Sequence, residues 1–110
     1  MGIDRTVTEV VVIGEIDVAT LDGVRESVLG AVASQSHVIV DCVGCTFIDS
    51  ATLGMFLDAH TRCNDNGSKL VLVVTPGGPV SSIITMAHFD SVLTIADTMD
   101  NARNIIEEGS

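Results

Sequence analysis

The sequence predicts an α/β fold, a mostly parallel sheet covered by helices, and three observations carry that expectation. Apolar runs of strand length alternate with segments whose apolar residues recur at i, i+3, i+4 and i+7. The strand segments are nearly continuous in Val, Ile and Leu, as strands buried on both faces are. Turn-forming residues mark each change of period. With 110 residues, the chain has the size of one domain around one core, read as residues 1–110 with its ordered part over about 8–106.

Met1 to Arg5 reads as a short polar arm. Thr8 to Ile13, rich in β-branched residues and free of breakers until Gly14, predicts a buried strand. Gly14 to Asp17 then leads to a turn, with Thr20 available to cap a helix carrying Leu21, Val24, Val28, Ala31 and Val32 on one stripe. His37 to Cys42 is a second strand and Cys45 to Ile48 continues toward the next helix. Leu53, Phe56, Leu57 and His60 fall on the buried face expected of that helix, which runs from about Ser50 until Asn66-Gly67 stops it. Lys69 to Val74 is a third strand. Pro79 opens a helix with Val80, Ile83, Ile84 and Ala87 inward. Ser91 to Ile95 is a short fourth strand, and Asp97 or Thr98 caps a last helix with Met99, Ala102, Ile105 and Ile106 inward. Glu107 to Ser110 reads as a frayed tail.

Composition narrows the function. Hydrophobic residues make up 46% of the chain and only three aromatic residues, all Phe, are present, so the core is aliphatic. Five basic against fifteen acidic residues give a formal charge of −10, which repels nucleic acid and anionic lipid and favours partners with basic surfaces. Apolar runs fall far short of the roughly 20 residues that span a bilayer, and no signal segment opens the chain, so a cytoplasmic location is expected. Cys42 and Cys45 form a C-x-x-C spacing that invites a zinc or redox reading. No paired ligands accompany them, and their apolar neighbours suit buried small side chains.

Asp49 and Ser50 stand where a strand gives way to a helix, among backbone N–H groups without helical partners and at the positive end of the helix dipole. Ser50 there has two readings: a helix cap, or a phosphate acceptor within an anion site. Sites in such folds lie at the carboxyl ends of strands, where both Asp17 and Asp49-Ser50 fall.

Gly14-Glu15-Ile16-Asp17, the Val38-to-Asp41 strand, Phe47-Ile48-Asp49-Ser50-x-x-Leu53-Gly54, and Asn66-Gly67 before Lys69 to Val73 occur in this order across nearly the whole chain. Together they resemble the STAS domain of bacterial anti-sigma factor antagonists. The resemblance implies a mixed, mostly parallel sheet of four to five strands with about four helices, no cofactor and no enzymatic activity. It implies a phosphorylation switch at Ser50, worked by an anti-sigma factor that is a serine kinase and reversed by a serine phosphatase. Unphosphorylated, the domain binds the kinase and frees the sigma factor. The implied contact surface is Asp17, Asp49, Ser50, Ala51, Thr52, Met55 and Asp58, with Ala51, Met55 and Asp58 on the helix face away from the core. Thr52 stands where the family has glycine, and is expected to crowd Ser50 or offer a competing hydroxyl. An alternative is a constitutive STAS adaptor subunit of another regulatory complex, modulated by oxidation of Cys42, Cys45 or Cys63. An esterase or phosphotransferase using Ser50 lacks both the G-x-S-x-G turn and a histidine close to the serine in sequence.

Overall fold

The computed structural model of the chain describes residues 6–108, and the expected arm at residues 1–5 lies outside them. The elements run β1 (Val7–Val11), β2 (Gly14–Ile16), α1 (Val18–Ala33), β3 (His37–Asp41), β4 (Cys45–Ile48), α2 (Ser50–Asn66), β5 (Leu70–Val73), α3 (Pro79–Met86), β6 (Ile95–Ala96) and α4 (Met99–Glu108). β1, β3, β5 and β6 form one sheet in that order, and β2 and β4 form a separate two-stranded ribbon. Every pairing among the described residues is parallel, so the expected mixed sheet is wholly parallel.

The continuous apolar strands are buried from both sides. Val38, Val40, Leu70 and Leu72 face a core filled by α1, α2 and α3, while Ile39, Val71 and Val73 face Ala102 and Ile106 of α4. Alternate residues thus enter different cores, as the pleat requires. α4 carries a narrower load than the three helices opposite. It covers β3, β5 and β6, and reaches β1 through the ion pair of Arg103 Nη2 with Glu9 Oε1 at 2.8 Å. Val7 and Val11, on the same strand face as Glu9, are accordingly exposed.

The expected strand from Thr8 to Ile13 is in fact two strands. The chain leaves the main sheet after Val11, and Gly14 takes a left-handed φ of 75° that only glycine adopts cheaply. The register also shifts between Gly14 and Glu15, so β2 pairs with β4 where a plain turn was expected. The Ser91 to Ile95 strand shrinks to Ile95–Ala96 because 91–93 close turns onto Phe89, through Val92 N–H and Leu93 N–H to the Phe89 carbonyl. At the helix ends the signals act as expected. Gly67 ends α2 at φ 82°, Pro79 opens α3, and the Thr98 hydroxyl accepts from Asn101 N–H at the start of α4. α4 continues through Glu108, into the expected tail.

Candidate functional site: two helix starts side by side

Ile16 of β2 and Ile48 of β4 are direct partners in the parallel ribbon, so their backbones lie about 5 Å apart. Each is followed at once by an aspartate and a helix, and α1 and α2 therefore start next to each other. Asp17 caps α1: its Oδ1 accepts from Ala19 N–H at 2.9 Å and from Thr20 N–H at 3.3 Å. Thr20 returns the bond, its Oγ1 accepting from Asp17 N–H at 3.0 Å. Thr20 is thus the third residue of the helix within a capping box, while Asp17 is the cap.

Asp49 caps α2 differently. Its Oδ1 accepts both the Thr52 N–H at 2.8 Å and the Thr52 hydroxyl at 2.7 Å. Those two bonds, the backbone one foremost, hold the Asp49 carboxyl below its usual range and keep it charged. With the cap position taken by Asp49, Ser50 is the first residue of the helix, so its reading as the cap is corrected. Ser50 is exposed, and its hydroxyl has no hydrogen-bond partner among the described residues. A free hydroxyl at the open end of a helix can accept a modifying group without any internal bond being broken.

The two starts share a sequence. Ile16-Asp17-Val18-Ala19-Thr20-Leu21 and Ile48-Asp49-Ser50-Ala51-Thr52-Leu53 agree at every position except the one held by Val18 and Ser50. The motif-by-motif reading missed this near-repeat, although it is visible in the sequence. It makes Ser50 the single departure from a shared capping motif.

The remaining expected contact residues divide. Ala51 and Asp58 are exposed on α2, with Asp58 paired to Arg62 at 3.0 Å, and Asp17 is exposed beside them at the start of α1. Met55 was expected to face outward but is only 6% exposed and belongs to the core. Thr52 was expected to crowd Ser50, yet it is fully buried and its hydroxyl is spent on Asp49. The buried residues of α2 are Thr52, Leu53, Met55, Phe56, Ala59 and Cys63, so of the expected stripe Leu53 and Phe56 are buried, while Leu57 and His60 lie half-buried at its edge.

His60 is half-buried, its Nε2 3.3 Å from Asn64 Nδ2. It stands ten residues beyond Ser50, about 15 Å along the axis. Cys42, Cys45 and Cys63 are free and buried. Burial pushes the Cys42 thiol up to about 12, helped by Cys45 and Asp41, and raises the other two as well. Thiols so placed are held in the unreactive protonated form. Among the described residues no group of three or more acidic, His or Cys side chains is arranged to hold a metal ion, and no helix is long and apolar enough to cross a membrane.

A wholly parallel α/β sheet with a side ribbon that sets two capped helices together is an architecture shared with known proteins. The STAS domain profile matches residues 2–102, and the chain belongs to that family. Among solved structures it is similar to an anti-sigma factor antagonist from Mycobacterium paratuberculosis at 20% identity and a TM-score of 0.83, over 96% of this chain and 90% of that one. It is also similar to the Thermotoga maritima protein TM1081, at 17% identity and a TM-score of 0.79, over 92% of this chain and 87% of that one. The anti-sigma factor antagonist SpoIIAA in its unphosphorylated form aligns over all of this chain and 96% of its own, at 15% identity and a TM-score of 0.71. No curated protein sequence is matched at a significant level.

Proposed function

We propose that this chain is an anti-sigma factor antagonist that binds an anti-sigma factor serine kinase and is switched off by phosphorylation of Ser50. The observation that carries the reading is the unpartnered, exposed Ser50 hydroxyl in the first turn of α2, next to the cap Asp49 and on a helix start that the ribbon sets beside that of Asp17. Similarity to SpoIIAA, a protein described in an unphosphorylated form, supports it.

The switch is electrostatic. Phosphorylation adds about −1.5 to −2 charges beside free helix N–H groups, which receive an anion without unfolding the domain. A partner packed over Ser50, Ala51, Asp17 and Asp58 would then have to bury a dianion next to two carboxylates, and desolvation with like-charge repulsion lowers affinity. Thr52 and Met55 serve that surface from beneath, Thr52 by fixing the Asp49 carboxylate and Met55 by packing the helix. A serine phosphatase restores the binding form, and the domain itself performs no catalysis.

Incubation with the cognate kinase and ATP, followed by mass spectrometry, tests the reading. One phosphate on the wild type and none on Ser50→Ala is the expected result. Ser50→Asp should bind the kinase more weakly than the wild type. Equal binding of the two, with no phosphate transferred, would instead leave a constitutive adaptor.

A further inference from the structure

A groove of about 580 Å³ lies along α4, and none of the residues at the paired helix starts lines it. That volume is within the range of small-molecule sites. Its apolar floor is made by Val74, Ile95 and Ile105, and its walls carry Asn101 and Asn104. Asp97 stands just before α4 and Glu108 is its last residue, and both line the groove. A ten-residue helix at 1.5 Å per residue sets these two carboxylates about 15 Å apart along the axis.

Among the described residues no basic side chain lines this groove. Asp97 Oδ1 accepts from Asn101 Nδ2, while neither Asp97 nor Glu108 takes part in an ion pair among the described residues. The basic groups that meet α4 are committed elsewhere. Arg103 pairs with Glu9 of β1, and the Lys69 ammonium donates to the Ile105 carbonyl at 3.1 Å.

The geometry points to a binding site for a linear aliphatic polyamine, its ammonium groups at Asp97 and Glu108 and its methylene chain over Ile95 and Ile105. An anion is repelled at both ends. A compact cation reaches only one carboxylate and leaves the apolar floor unused. An extended polycation with alkyl spacers satisfies both ends and the floor together.

Spermine is the probe, titrated into the full chain at 0.15 M salt with backbone amide NMR shifts as the readout. Saturable shifts confined to Ser81, Ile95, Asn101, Asn104 and Ile105 are expected, with 1,4-diaminobutane, too short to bridge the groove, binding more weakly. The double variant Asp97→Asn/Glu108→Gln should weaken spermine by about fivefold or more, as the loss of two exposed ion pairs implies. Glu26→Gln/Asp65→Asn removes the same net charge from exposed acids outside the groove and should change affinity by less than about twofold. The proposal is overturned by shifts scattered over the acidic surface, by equal weakening in the two double variants, or by diaminobutane binding as tightly as spermine. The first two would mark general attraction to a chain of charge −10, and the third would show that no ligand bridges the groove.

Discussion

α1 and α2 open with nearly the same six residues, from paired strands, yet their first turns hold together in different ways. At α1 the threonine is exposed and closes a reciprocal capping box, Thr20 with Asp17. At α2 the threonine is buried and both its donors go to one oxygen of Asp49. The difference teaches that a capping motif does not fix its own chemistry, because burial decides which bonds the side chains make. It also frees the first turn. With Asp49 and Thr52 holding the turn of α2, the two residues between them, Ser50 and Ala51, are released from structural duty, and the first of these carries a hydroxyl.

Substitutions can break this contrast, and the leucines below the caps give the largest effect. Leu53→Ala is expected to cost about 3 kcal/mol in urea unfolding, and Leu21→Ala, at the more exposed of the two sites, about 2. The reverse order would mean that α1 is the better anchored helix. The caps come next. Asp17→Ala should cost about 1 kcal/mol, and Asp49→Ala should lower the unfolding midpoint further, since it strands a buried hydroxyl. The threonines sharpen the comparison. Thr52→Val removes a buried hydrogen bond at about 1.5 kcal/mol, whereas Thr20→Val loses an exposed one at about 0.5.

Acid should erase part of the asymmetry. The Asp49 carboxyl is depressed in the folded state, so its stabilisation is fully present above the unfolded carboxyl pKa of about 3.9 and is lost as pH falls through the lower folded value. The gap in thermal midpoint between wild type and Asp49→Asn should therefore hold from pH 7 to about pH 5 and narrow below pH 4. A constant gap would show that Asp49 acts by shape alone. The smallest effect belongs to Ser50→Ala, within about 0.5 kcal/mol of wild type by the same unfolding measurement. A loss comparable to that of Asp17→Ala would return Ser50 to the role of a cap.

Much of this was legible from the sequence. The strand runs at 38–40 and 70–73 announced burial on both faces, and Asn66-Gly67 and Pro79 marked helix limits that the backbone observes. The ribbon was hidden because the three residues of β2, Gly14–Ile16, are too few to show a period. The buried face of α2 is wider than the expected stripe because Thr52, Ala59 and Cys63 are small or polar and gave no apolar signal, although packing buries them completely. Met55, apolar but off the expected i, i+3, i+4 stripe through Leu53, Phe56 and Leu57, was assigned outward by position. Asp49 and Thr52 meet three residues apart, a spacing equally consistent with serine as the cap until the carboxylate is seen to hold both donors.

The three thiols bracket α2, with Cys42 and Cys45 before it and Cys63 in its final turn, and none is more than 3% exposed. A thiol reagent therefore gains access only when the surrounding segment opens, and its reaction rate measures the frequency of that opening. The chain thus carries native timers at both ends of α2, able to report which end loosens first.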